Sequence, residues 1–222
     1  MPSYKLAVFD WNGTLIDDAE ACLLATNASL ARAGKPPITL ERSRETMDFP
    51  IIHYYTRNGI EVDDYLANFE EYGLAWNEVY KEVSKISPLR RGTVDLLSWL
   101  QDQGIILMIL SNYTQYELEA QLSERHIFQC FRHISGNDGL NLQAHTRTTK
   151  AGRLEAVMTE FGYKPEECFI VGDSLEEPDI AQQLGLTSFS VTWGSISTER
   201  LSTSPTHHLI EELAEIREIL QR

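Results

Sequence analysis

The first hydrophobic run, Tyr4-Lys5-Leu6-Ala7-Val8-Phe9, is interrupted only by Lys5. Its length and β-prone residues predict a buried strand. After Leu15-Ile16 the apolar period becomes helical. Asp17 can cap a helix with Cys22, Leu23, Thr26 and Leu30 on one face, ending near Gly34. Pro36-Pro37 punctuates, Thr39 can cap a second helix through Met47, and Pro50 opens a third. Asp63 or Asp64 begins a longer helix carrying Tyr65, Phe69, Tyr72, Trp76, Val79, Tyr80 and Val83 at helical spacing. Four helices in succession between Ile16 and Ser87 predict a helical insertion, residues 17–86.

From Pro88 onward, helical and strand patterns alternate. A helix with Val94, Leu97, Trp99 and Leu100 stops at Gly104, and strand Ile105–Leu110 follows. A helix around Leu118 and Leu122, a strand Phe131–Ile134 and a polar connection from Gly136 to Thr149 come next. Lys150 opens a helix through Leu154, Val157, Met158 and Phe161 that ends at Gly162. Strand Cys168–Val171, helix Pro178–Leu184, strand Ser188–Thr192 and helix Glu211–Leu220 complete the chain. Such alternation predicts an α/β core with a parallel sheet and right-handed crossovers, formed by residues 1–16 and 87–222.

Candidate chemistry collects where these strands end. The first strand runs into Asp10-Trp11-Asn12-Gly13-Thr14, and the Cys168–Val171 strand runs into Gly172-Asp173-Ser174. In an open parallel sheet that edge is where ligands bind. Two carboxylates meeting there would repel unless a cation lay between them, and hard oxygen ligands point to Mg²⁺. Strand Ile105–Leu110 delivers Ser111 and Asn112 to the same edge. A nucleophilic Asp, a hydroxyl, an ammonium and a metal-binding Asp are the parts that phosphoryl transfer through an aspartyl-phosphate requires. Either Asp alone could be a helix cap, as could Ser111, and Glu177 could be a first-turn acid. The aromatic row of the long helix reads as packing, although His53, Tyr54, Tyr55 and Arg57 could reach the site.

At these residues the chain resembles the haloacid dehalogenase-like superfamily, and within it the phosphoglycolate phosphatase-like group with a helical cap. The Asp-x-Asp-x-Thr motif of that family is matched by Asp10-Trp11-Asn12-Gly13-Thr14, its Ser/Thr by Ser111 and its Lys by Lys150. Its Gly-Asp followed by an acid four residues later is matched by Gly172-Asp173 and Glu177. The resemblance implies a Rossmann-like core and an all-helical cap. It further implies Asp10 as nucleophile, with Ser111, Asn112 and Lys150 on the phosphate. Asp10, the Asn12 backbone carbonyl and Asp173 would hold Mg²⁺, Glu177 would support it, and Thr14 would steady the loop.

Two positions depart from the pattern. Asn12 stands where the family carries the aspartate that protonates the leaving oxygen, and an amide cannot exchange a proton in that way. Such help is worth about a hundred- to ten-thousand-fold in rate. A slow enzyme, a substrate with a good leaving group, a proton supplied from elsewhere, or an acid deliberately removed would each account for Asn12. Lys150 is followed by Ala151 rather than Pro, which leaves Arg147 and Arg153 as stand-ins.

Composition narrows the partners. The 222 residues carry 33 Asp plus Glu against 19 Lys plus Arg, a net charge of −14, which argues against nucleic acid and anionic membranes. Three Cys without metal spacing read as reduced thiols, and no apolar run is long enough to span a membrane. A strand beginning almost at the N-terminus leaves no room for a signal peptide. The expectation is a cytoplasmic, Mg²⁺-dependent phosphatase of a small phosphorylated metabolite, as a monomer or homodimer. The rivals are a phosphate-ester sensor, a sugar-phosphate mutase, and a phosphonate hydrolase using Lys35, Lys81 or Lys85.

Overall fold

Five apolar runs of the sequence become strands of one sheet in the computed structural model, which describes residues 4–139, 145–146 and 149–222. The strands are β1 (Leu6–Phe9), β2 (Ile106–Thr114), β3 (His133–Asn137), β4 (Cys168–Gly172) and β5 (Thr187–Val191), joined by a sixth, β6 (His208–Ile210). Their order is β3-β2-β1-β4-β5-β6 with every neighbouring pair parallel. The chain winds outward from β1 to β3, then returns to β4 on the other side of β1. That reversal places a topological switch point between β1 and β4, where such sheets leave a crevice.

Both faces of the sheet are covered, which explains the near-continuous apolar runs. Ala7 and Phe9 pack on one side with Leu107, Ile109, Phe169, Val171, Phe189 and Val191. Leu6 and Val8 pack on the other with Met108, Leu110, Cys168, Ile170, Leu154 and Met158. The flanking helices include α5 (Thr93–Asp102), α6 (Gln115–Glu124), α7 (Lys150–Phe161), α8 (Glu176–Leu184), α9 (Thr198–Ser202) and α10 (Ala214–Leu220), alongside the four described next.

Between β1 and α5 lie α1 (Ala19–Arg32), α2 (Leu40–Thr46), α3 (Ile52–Arg57) and α4 (Val62–Val83). They share a cluster of their own around Leu30, Tyr54, Tyr55, Ile60, Tyr65 and Tyr72, apart from the two sheet clusters. The aromatic row of α4 is thus partly core, as its spacing predicts. Thr39 caps α2, its hydroxyl accepting from the Arg42 N–H at 3.1 Å.

Several expectations shift. The third strand begins at His133 rather than Phe131, because the preceding residues Phe128–Cys130 close a 3-10 turn. Strand β2 runs on through Ser111 to Thr114, so Thr114 and not Ser111 precedes α6. Asp18, not Asp17, occupies the N-cap of α1, and its carboxylate makes no capping bond. Strand β6 and helix α9 were not expected; both are short. The cysteines are free thiols, with Cys168 buried and Cys22 and Cys130 half-buried. No described helix is long and apolar enough to cross a membrane.

Candidate active site

The pairing of β1 with β4 decides how the acids arrive. Phe9 pairs with Val171 across β1 and β4, and the Asp10 N–H donates to the Val171 carbonyl at 2.9 Å. Asp10 and Asp173 therefore leave adjacent strand ends at the switch point. Both line one cavity of about 190 Å³, together with Asn12, Ser111, Asn112, Asn137 and Ser195 from the sheet side. Its opposite wall comes from the helical insertion: Cys22, Thr26, Met47, Phe49, Ile51, Tyr54, Tyr55, Trp76 and Asn77. At about 30 Å³ per water, the space holds about six waters, enough for a phosphate and a small organic group.

Close packing shapes the floor. Gly13 has φ of +68°, a conformation that favours glycine, and a Cβ there would overlap the Asp173 carboxylate. Gly194 is equally confined, since its Cβ would overlap the Asp173 side chain. The next residue, Ser195, donates its N–H and its hydroxyl to Asp173 Oδ2, each at 2.6 Å. The Thr14 hydroxyl reaches Asp173 Oδ1 at 3.5 Å.

Lys150 is the first residue of α7 and is 1% exposed. Its ammonium lies 2.7 Å from Glu177, 3.2 Å from Asp10 and 3.7 Å from Glu176. Burial opposes its charge, but these carboxylates hold its pKa above the ordinary lysine value. Asp10, Glu176 and Glu177 thus gather around one ammonium, with Asp173 within reach of its charge, a formal excess of negative charge in a buried place. Burial pushes Asp10 up to about 7, Asp173 to about 6 and Glu176 to about 7, against whatever relief Lys150 provides. Glu177 goes the other way. Burial opposes it too, but the Lys150 charge and hydrogen bonds from Lys150 and Ser174 bring it below the usual glutamate value.

The donor set suits a hard divalent cation. Asp10 Oδ1 is buried and accepts no hydrogen bond among the described residues, and the surplus carboxylates need positive charge. No group of three or more His, Cys, Asp or Glu side chains is arranged for a metal among the described residues. Two carboxylates and a carbonyl suit Mg²⁺, which keeps several waters and usually takes one or two carboxylates.

The remaining expected site residues are placed as follows. The Ser111 hydroxyl oxygen accepts from the Tyr113 N–H at 3.1 Å, so its own proton is free to point elsewhere. Asn112 lines the cavity, but its amide donates to Glu176 at 2.6 Å. Glu177 accepts from Lys150 and from the Ser174 hydroxyl at 2.6 Å, anchoring the ammonium. Arg153 is committed to the carbonyls of Ser111, Ser135 and Gly136, and Arg147 lies outside the described residues. Tyr54 and Tyr55 reach the cavity, whereas His53, Arg57, Lys35, Lys81 and Lys85 are not among its lining residues.

Sequence reasoning passed over four residues. Glu176 could have been found in the doublet Glu176-Glu177 that follows Gly172-Asp173. Asp18 could have been found in the doublet Asp17-Asp18, close after Asn12. Ser195 carries no local signal, because only the fold returns it to Asp173. His145 also lines the cavity, with its Nδ1 2.6 Å from the Tyr65 hydroxyl and its pKa held below the ordinary value by burial.

A parallel sheet with order 3-2-1-4-5-6, an acid on each side of its switch point and a buried lysine beside them define a known class. A model of the haloacid dehalogenase-like hydrolase family matches residues 7–191, and the chain belongs to that family. It groups there with the phosphoglycolate phosphatase-like members. It is 28% identical over 194 residues to phosphoglycolate phosphatase 1 of Pseudomonas aeruginosa, covering 86% of this chain and 70% of that one. It is 29% identical over 197 residues to a phosphoglycolate phosphatase of Pseudomonas putida, with the same coverage. A haloacid dehalogenase-like hydrolase of Streptococcus pneumoniae superposes over 100% of both chains with a TM-score of 0.83 at 20% identity, a likeness of fold.

Proposed function

We propose that the protein is a Mg²⁺-dependent phosphatase that hydrolyses a small phosphorylated metabolite through an aspartyl-phosphate on Asp10. The carrying observation is the convergence of Asp10, Asp173 and Ser111 on one cavity, with Lys150 buried against Asp10. Names of the relatives support phosphate-ester hydrolysis as the reaction class.

Asp10, the Asn12 backbone carbonyl and Asp173 would hold Mg²⁺, which when bound neutralises charge on the transferring phosphoryl group. Lys150, 3.2 Å from Asp10, offsets part of the cost of ionising that carboxylate and would meet the phosphoryl group beside it. Ser111 offers its hydroxyl proton to a phosphoryl oxygen. Asp10 forms a bond to phosphorus, and the bond to the leaving oxygen breaks with its electron pair staying on that oxygen. Water then attacks phosphorus, the Asp10–phosphorus link breaks, and both water protons leave on dihydrogen phosphate as Asp10 regains its carboxylate. We assign residues 17–86 as a cap over a core of residues 1–16 and 87–222. Arg44 of α2, donating to the carbonyls of Trp193 and Gly194 at 3.0 and 2.9 Å, would hold that cap shut beside Ser195. Closure would exclude bulk water from the reaction.

The test is phosphate release from p-nitrophenyl phosphate with and without Mg²⁺, using Asp10→Asn as blank. Metal-dependent release that vanishes in the variant supports the reading. Asn12 favours one rival, a phosphate-ester sensor, and saturable phosphate-ester binding with no release under any condition would establish that instead.

A further inference from the structure

Asn12 and Asp18 form a unit that the reaction scheme leaves unexplained. Asp18 is 1% exposed and sits at the N-cap of α1, yet it forgoes the capping bond, which is ordinarily worth about 1 kcal/mol. Its carboxylate instead accepts from Asn12 Nδ2 at 2.7 Å, the Tyr80 hydroxyl at 2.6 Å and the Gly13 N–H at 2.7 Å. Asn12 Nδ2 also lies 2.6 Å from the Tyr80 oxygen. A carboxylate can only accept, so the amide is locked with its NH₂ toward Asp18. What Asn12 has left to offer is its carbonyl Oδ1, which accepts no hydrogen bond from any described residue.

The cavity wall adds a second, independent observation. Facing Asp10 are Tyr54, Tyr55, Trp76, Ile51 and Met47, and no Lys or Arg lines the cavity among the described residues. Among the described lining residues, an anionic group on the organic half of a substrate would find no fixed countercharge, only the His145 imidazole, whose pKa burial holds down, while an aromatic or apolar group would find ring faces.

Resting on the phosphatase reading above, we propose that Asp18 is a positioning residue that holds Asn12 as a fixed, proton-inert acceptor. The site is thereby specific for phosphate monoesters of an uncharged aromatic group whose leaving oxygen is as acidic as a phenol's. In the first step the P–O electron pair departs on that oxygen as a phenolate, which later takes its proton from solvent. An alkoxide is too basic to leave so, and no group at position 12 can protonate it. Asn12 Oδ1 is left to orient the water of the second step.

The experiment compares kcat/KM of the full chain with Mg²⁺ on p-nitrophenyl phosphate, phenyl phosphate, benzyl phosphate and phosphoglycolate. Benzyl phosphate keeps the ring but leaves as an alkoxide, so it separates binding from departure. The wild type is expected to favour p-nitrophenyl over benzyl phosphate by about a hundredfold or more, the usual worth of general-acid help, with phosphoglycolate slower still. Asn12→Asp/Asp18→Asn is expected to raise benzyl turnover by about a hundredfold or more, and p-nitrophenyl turnover by under about tenfold. Asp18→Asn alone keeps the wild-type preference while kcat falls on both esters. Benzyl phosphate or phosphoglycolate turned over within about tenfold of p-nitrophenyl phosphate by the wild type overturns the inference, whether or not the variants fold. No release from any ester would instead sink the phosphatase reading, and this inference with it.

Discussion

Replacing Lys150 with Met tests the electrostatic logic of the site. The side chain stays unbranched, shortens by one atom and loses its charge, and the ammonium removed has carboxylate oxygens at 2.7, 3.2 and 3.7 Å. At an effective dielectric of about 20, each pairing is worth about 4–6 kcal/mol before offsets. Desolvation of the ammonium and mutual repulsion of the carboxylates cancel most of that. Removing one partner of a buried ion pair typically leaves a loss of about 3–5 kcal/mol. For a chain of this size, about 2–4 °C per kcal/mol translates this into a melting temperature lower by roughly 6–20 °C. The assay is thermal unfolding in EDTA at pH 8 and again with saturating Mg²⁺. The drop should be largest in EDTA, where nothing else neutralises the carboxylates, and smaller with Mg²⁺. A variant melting within about 2 °C of wild type in EDTA, a loss under about 1 kcal/mol, would refute the reasoning.

Other perturbations follow from the same geometry. Asp10 and Glu176 titrate near 7 and Asp173 near 6 in the folded chain, against ordinary values of 3.8 to 4.5. The folded state therefore binds more protons between about pH 4 and pH 7, and its stability falls as pH rises through that window. Asp10→Asn removes one such penalty, so without metal it should melt a few degrees above wild type at pH 8 and level with it at pH 5. By the same sign, Mg²⁺ binding near pH 6.5 should release protons, seen as a buffer-dependent calorimetric enthalpy. A heat independent of buffer ionisation would contradict this. Gly194→Ala, whose Cβ would overlap Asp173, should weaken Mg²⁺ binding by about tenfold or more in a metal titration. Overpacking of this kind typically costs about 1–3 kcal/mol.

Much of the candidate site was legible because it obeys local rules. A buried strand ending in Asp10 and another ending in Asp173 announce themselves through apolar runs, as does the helix that Lys150 opens. Ser111 was found by the same route, although its strand continues past it to Thr114. Strand β6 and helix α9 were not legible, since three and five residues are too short to show a period. Glu176 and Asp18 were hidden for another reason. Each sits beside an equally acidic neighbour: Glu176 and Glu177 both turn inward onto Lys150, as no local period announces for a first-turn doublet, whereas Asp17 and Asp18 part company. Asp17 lies near Arg90 at the surface, while Asp18 turns under Asn12.

Composition and periodicity were enough to determine the strand–helix alternation, the helical insertion and the acids at two strand ends, because each depends on neighbours within a few residues. Tertiary structure alone decided the rest. It set the strand order that makes β1 and β4 adjacent, returned Ser195 to Asp173 across 22 residues, and brought Tyr80 over Asp18 across 62. The physical reason is burial. Placing four carboxylates, one ammonium and one amide in a buried crevice makes each side chain's charge and orientation depend on groups distant along the chain, and no local pattern encodes that.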